Sequence, residues 1–191
     1  MIEDRILEIS HKYKLSHLSG CLTAAPIIES IYKNKKPEDI FVLSCGHVAV
    51  ALYAIIEKYE GLDAEGIFLH HGVHPDRCEQ CHISVSTGSL GNGLPIALGL
   101  AIAYPDRQIY CLISDGECSE GSVWETLSMR QKYNITNLNV LVNCNGWSAY
   151  DPVDRGFLFE KLIAFGLKGE NILWTSNPQG LSGIEGHYKV L

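Results

Sequence analysis

The sequence predicts an α/β fold, a parallel sheet flanked by helices on both faces. Two segments carry most of that expectation. QIYCLIS (108–114) and LNVLVN (138–143) are continuous apolar runs without the alternation of a half-exposed strand, the pattern of strands buried on both sides. Between them, EGSVWETLSMRQKY (120–133) has helical spacing, which completes a βαβ unit. With 191 residues, 46% hydrophobic and 19% charged, one globular domain over 1–191 with a sizeable core is expected.

The other elements follow in chain order. Ile2, Ile6, Leu7 and Ile9 share one helix face and predict a first helix. TAAPIIESIY (23–32) predicts a second, with Thr23 as N-cap and Pro26 in its first turn. IFVLS (40–44) reads as a short buried strand, and HVAVALYAIIEKYEG (47–61) as a helix stopped by Gly61. Residues 70–88 mix histidines, cysteines, Pro75 and Gly88 without a period and predict a loop. GNGLPIALGLAIAY (91–104) is a small-residue helix able to pack closely against a neighbour. Beyond the βαβ unit, LFEKLIAF (158–165) reads as helix and NILWTS (171–176) as strand.

Composition narrows the function. A net charge of -7 argues against nucleic acid or an anionic membrane as the main partner. MIEDRILEIS carries acids where a secretory leader needs bases, and LPIALGLAIAY (94–104) is too short to span a bilayer. The seven cysteines are therefore expected as reduced thiols in a cytoplasm.

The chemistry concentrates after the two strands of the βαβ unit. Parallel strands put their carboxyl ends on one edge, where ligands of open α/β sheets bind. Asp115 and Asn145 follow two such ends, and a carboxylate with an amide oxygen suits a hard cation. Gly116 lets backbone approach a bulky anion, and the helix beginning near Glu120 turns its N-terminus the same way. A metal-bridged diphosphate is one reading. Two ordinary Asp-Gly and Asn-Gly turns are the other.

The stretch SDGECSEGSVWE … NVLVNCNGWSAYD resembles the thiamine-diphosphate motif, which opens G-D-G and closes in N or N-N. With SHLSG (16–20), VLSCGHVAVALYAII (42–56), HPD (74–76) and VSTGSLGNGLPIALGLAIA (85–103) in order, residues 5–150 are similar to the amino-terminal domain of transketolases. The resemblance implies that Asp115, the Asn145 side chain and the Trp147 carbonyl hold magnesium, or calcium or manganese in its place. It implies that Gly116 faces the diphosphate and that Gly88 and Leu90 line the cofactor. His17, His47 and His74 would surround the diphosphate and the substrate's reacting end, with His47 serving both. Glu120 and Glu125 would link cofactor sites across a subunit interface, and His187 would stand near the diphosphate. Ser114 replaces the first glycine of G-D-G, and Cys144 sits where the family often has an acid or asparagine.

The implied reaction is transfer of a two-carbon ketol unit from a ketose donor to an aldehyde or ketone acceptor. The family's pyrimidine-binding domain, whose glutamate meets the aminopyrimidine, has no counterpart here. A separate pyrimidine-binding subunit is therefore expected, in a heterotetramer, docked on an apolar surface built from GNGLPIALGLAIA and Trp124. The alternatives are another thiamine-diphosphate carboligase or decarboxylase subunit, an inactive binding module that kept the fold, and a zinc-binding interaction domain. That last reading comes from HHGVHPDRCEQCH (70–82), where Cys78 and Cys81 have zinc-site spacing. No second pair stands at a matching distance, so a metal-free surface loop with reduced thiols is expected.

Overall fold

The computed structural model describes residues 1–190, with the side chain of His187 also outside the described part. Strands β1 (Ile40–Leu43), β2 (Ile109–Ser114), β3 (Leu138–Cys144) and β4 (Ile172–Trp174) form one sheet in the order β1-β2-β3-β4. All three pairings are parallel. One face carries α1 (Ile2–Tyr13), α2 (Leu18–Asn34), α3 (Ala49–Glu60) and α4 (Ala64–His71). There Ile6, Ile28, Tyr53 and Ile55 pack with Phe41, Leu43 and Leu112 of the strands. The other face carries α5 (Gly93–Ala103), α6 (Gly121–Lys132) and α7 (Arg155–Ala164), whose Leu94, Leu127 and Leu162 meet Val42, Ile113 and Val142. Alternate strand residues thus serve opposite cores, which is why the strands read as unbroken apolar runs. A short helix, α8 (Gly183–Tyr188), ends the described chain. Among the described residues, no helix is long and apolar enough to cross a membrane.

Helices α2, α4 and α8 depart from the sequence expectation, α8 having no counterpart in it. Helix α2 begins at Leu18, with His17 in a left-handed conformation as its N-cap, so Thr23 is no cap and Pro26 lies in the helix interior. The physical reason is burial: Leu18, Ser19, Gly20 and Cys21 are all inside, and tertiary packing extends a turn that no capping signal announces. Thr23 instead donates to the Gly20 carbonyl at 3.1 Å and accepts from Asn143 Nδ2 at 3.1 Å. Pro26 removes one intrahelical bond on the exposed side of the helix. Helix α4 has no counterpart in the sequence reading and takes His70 and His71 out of the predicted loop. Its start is a side-chain cap, Asp63 accepting from the Glu65 and Gly66 amides at 3.3 and 2.9 Å.

Candidate functional site

The ends of β2 and β3 meet as the motif spacing requires. Asp115 is 2% exposed, and its carboxylate accepts from the Gly116 amide at 3.1 Å and from the Gly146 amide, across the strand gap, at 2.6 Å. Burial pushes the Asp115 carboxyl up to about 6, against the pull of those two amides and of Arg155. Asn145 stands beside Gly146, and its Oδ1 accepts from the Trp147 amide at 2.9 Å. An amide oxygen has a second lone pair, so this bond orients the group without exhausting it. Trp147 lies in a turn closed by the Val153 amide on the Gly146 carbonyl at 3.0 Å and the Ser148 amide on the Asp151 carbonyl at 2.9 Å. Arg155 Nη2 and Asn177 Nδ2 both donate to the Asn145 carbonyl, at 2.8 and 3.2 Å, tying the turn to the start of α7 and to the chain beyond β4.

These residues fit a hard divalent cation with a diphosphate. A buried carboxylate whose charge is opposed by burial gains most from a cation beside it. Gly116 packs against the turn after β3, where a Cβ would come 3.2 Å from Ser148 Cα, so glycine lets the two strand ends approach closely. Just after β1, Gly46 and Gly88 approach so closely that a Cβ on Gly46 would stand 2.7 Å from the Gly88 amide nitrogen. That contact brings the 85–92 loop, with Gly88 and Leu90, onto the same edge of the sheet. The Thr87 hydroxyl fixes it there by donating to the Leu43 carbonyl at 2.7 Å.

The three predicted histidines border this edge from different elements. The His17 and His47 rings are 5.2 Å apart, and His17 also faces Tyr188 of α8 at 5.6 Å. His74 is exposed, and a Cβ on Gly88 would meet its ring at 3.1 Å. Two histidines thus stand together, with the third over the neighbouring loop. Glu120 and Glu125 are both exposed near the start of α6, and Glu120 packs on Gly91. His187 has its side chain outside the described residues.

Trp124 differs from expectation. Its indole donates to the Cys118 carbonyl at 2.9 Å, its ring lies 5.0 Å from Phe165, and Lys161 Nζ sits 3.9 Å above it. A half-buried ring with three such partners holds α6 to α7, and it is not part of an open apolar surface. Helix α5 does expose Ile96 and Ile102, at 41% and 55%, and packs beside α6.

Glu117 is the residue that sequence reasoning missed. Its carboxylate is fully buried and accepts from the Ser44 hydroxyl at 2.6 Å, the Gly91 amide at 2.9 Å and the Ser114 amide at 3.0 Å. One side chain therefore joins the ends of β1 and β2 to the glycine loop. Burial raises its pKa, opposed by the same donors. The only signal in the sequence is an acid directly after Asp-Gly, indistinguishable there from a solvated turn residue.

Residues 66–150 match the family model described as "Thiamine pyrophosphate enzyme, C-terminal TPP binding domain". Human transketolase is 36% identical over 157 residues, covering 71% of this chain and 25% of that protein. An apulose-4-phosphate transketolase subunit of Phocaeicola vulgatus is 33% identical over 162 residues, covering 74% of this chain and 57% of that protein. The transketolase structure from Leishmania mexicana is similar with a TM-score of 0.69 at 25% identity, over 86% of this chain and 30% of that one. Transketolase from Campylobacter jejuni gives the same TM-score at 22% identity, over 86% of this chain and 32% of that one, a likeness of fold alone. The chain spans about a quarter of the length of the transketolases it matches.

Proposed function

We propose that this chain is the diphosphate-binding subunit of a two-chain, thiamine-diphosphate-dependent, transketolase-like enzyme. It would move a two-carbon ketol unit from a ketose donor to an aldehyde or ketone acceptor. The observation that carries the reading is the buried Asp115 carboxylate bonded across to Gly146, inside the segment that matches a thiamine-pyrophosphate-binding family. Similarity to one subunit of the Phocaeicola vulgatus transketolase supports the two-chain part. The exposed Ile96 and Ile102 of α5 support an interface on that face.

In this reading Asp115, the Asn145 amide oxygen and the Trp147 carbonyl hold magnesium, while Gly116, Gly88 and Leu90 leave room for the cofactor. Thiamine diphosphate, when bound, supplies the thiazolium carbon that accepts the ketol unit and delocalises the electron pair of the broken carbon–carbon bond. The protein's own task is proton traffic and positioning. His17 and His47, ring to ring, hold and move protons at substrate hydroxyls on the donor side, and His74 does so from the 72–88 loop; imidazole is suited to this near neutral pH. Glu120 and Glu125 reach toward the partner, whose glutamate meets the aminopyrimidine in a heterotetramer of two chains of each kind.

The histidine assignment has a specific consequence. His74→Ala should lower kcat by at least about tenfold while thiamine diphosphate affinity stays within a few-fold, the pattern of a lost transition-state interaction. Steady-state kinetics of the assembled enzyme, paired with cofactor titration, measure both. Loss of cofactor binding would instead move His74 to the diphosphate, and unchanged kinetics would make it structural.

A further inference from the structure

We propose that His70, His71, Cys78 and Cys81 form a zinc site that pins the loop carrying His74. The sequence offers the Cys78/Cys81 pair with histidines on both sides but no second pair at a matching distance, on which a metal-free loop is the expectation. The fold supplies the second pair, because α4 ends at His71 and Gly72 turns the chain back toward the cysteine turn. Donor atoms of His70, His71 and Cys78 all lie within 4.8 Å of one another. His71 Nε2 is 3.3 Å from Cys81 Sγ, and the two sulfurs are 2.6 Å apart. Tetrahedral zinc with bonds of about 2.0–2.3 Å separates its donors by about 3.3–3.8 Å. The contacts among His70, His71 and Cys78 therefore close by at most about 1.5 Å, the His71–Cys81 contact already fits, and Cys81 completes the set as the sulfur pair parts by about one ångström.

The surroundings are those of a metal turn. Cys78 and Ile83 exchange two backbone bonds, at 2.9 and 2.8 Å, and the Cys81 amide donates to Cys78 Sγ at 3.2 Å, folding residues 78–83 into a tight turn around the sulfur. Tyr53, fully buried, donates to the Gly72 carbonyl at 3.2 Å and lies 6.5 Å from the His71 ring, fixing the end of α4 from behind. Two thiolates and two imidazoles suit zinc and not magnesium. His82 is paired with Glu60 and His74 stands against Gly88, so neither competes. Binding zinc would release the thiol protons to solvent and would tie α4 to residues 78–83, closing the segment that presents His74.

The test is independent of thiamine diphosphate. Protein made with zinc in the medium and purified without chelators should carry about one zinc per chain by elemental analysis. The double variant Cys78→Ser/Cys81→Ser should lose it. Metal-stripped wild type titrated with Co2+ alone should develop thiolate-to-cobalt absorption that saturates at about one equivalent, a result that stands even where the variant fails to fold. Zinc retained by the double variant, or wild type that gives neither bound zinc nor the cobalt absorption, would overturn the site.

Discussion

Asp115→Ala is expected to abolish cation-dependent binding of thiamine diphosphate, with at least about a 100-fold loss of affinity at pH 7. Removing groups that merely orient metal ligands costs about 10- to 100-fold, and Asp115 is proposed as the charged ligand itself. The same carboxylate weighs against the fold when no cation is present. Its pKa rises from 3.8 to about 6 on burial, so the folded state binds the extra proton between those values. The unfavourable contribution is absent below about 3.8 and complete above about 6. Asp115→Asn removes that unfavourable charge but turns an amide hydrogen toward the Gly116 or the Gly146 amide, so the two effects oppose each other in the cation-free protein, and the variant should also fail to bind the cofactor. In the unaltered protein, magnesium-dependent affinity should be flat above pH 7 and weaken as protons compete below about 6. Calorimetric titration with magnesium and with a chelator reads all of these; wild-type affinity in Asp115→Ala would remove the metal assignment.

Glu117→Ala should be the most destabilising single change near the site, by about 3–5 kcal/mol. It strands the Ser44 hydroxyl and the Gly91 and Ser114 amides where water does not reach, at about 1–3 kcal/mol for each buried group left unpaired. Partial relaxation keeps the total below the simple sum. Glu117→Gln retains an acceptor for Ser44 and Gly91 but turns an amide hydrogen toward the Ser114 amide, so an intermediate loss of about 1–2 kcal/mol is expected. Urea unfolding should show a lower midpoint with an unchanged slope. A loss below about 1 kcal/mol for the alanine variant would mean that the carboxylate does not join these strand ends.

Much of this was legible in the chain. The unbroken apolar runs at 108–114 and 138–143, with a helical stretch between them, are strong signals of strands buried on both faces, and they became β2, α6 and β3. The adjacency of Asp115 and Asn145 followed from parallel topology alone. What stayed hidden depended on contacts distant in sequence. The first turn of α2 forms because Leu18 to Cys21 are buried, and no local cap marks it. Trp124 looked like interface because its neighbours Phe165 and Lys161 come from beyond β3. Glu117 has a partner 73 residues away in Ser44, and His71 meets Cys81 only because α4 ends where it does. Periodicity and motif spacing report local structure; these pairings are tertiary.

The measurement that bears most directly on the two-chain reading is ketol transfer with thiamine diphosphate and magnesium, using ketose and ketose-phosphate donors with aldose acceptors. Three samples are needed: this chain by itself, this chain co-expressed with a candidate pyrimidine-binding subunit, and the same pair with that candidate's glutamate changed to alanine. Product is expected only from the unaltered pair, because the thiazolium proton does not leave without a carboxylic acid on the aminopyrimidine. Full turnover by the 191-residue chain by itself, or turnover untouched by the glutamate change, would contradict the two-chain reading.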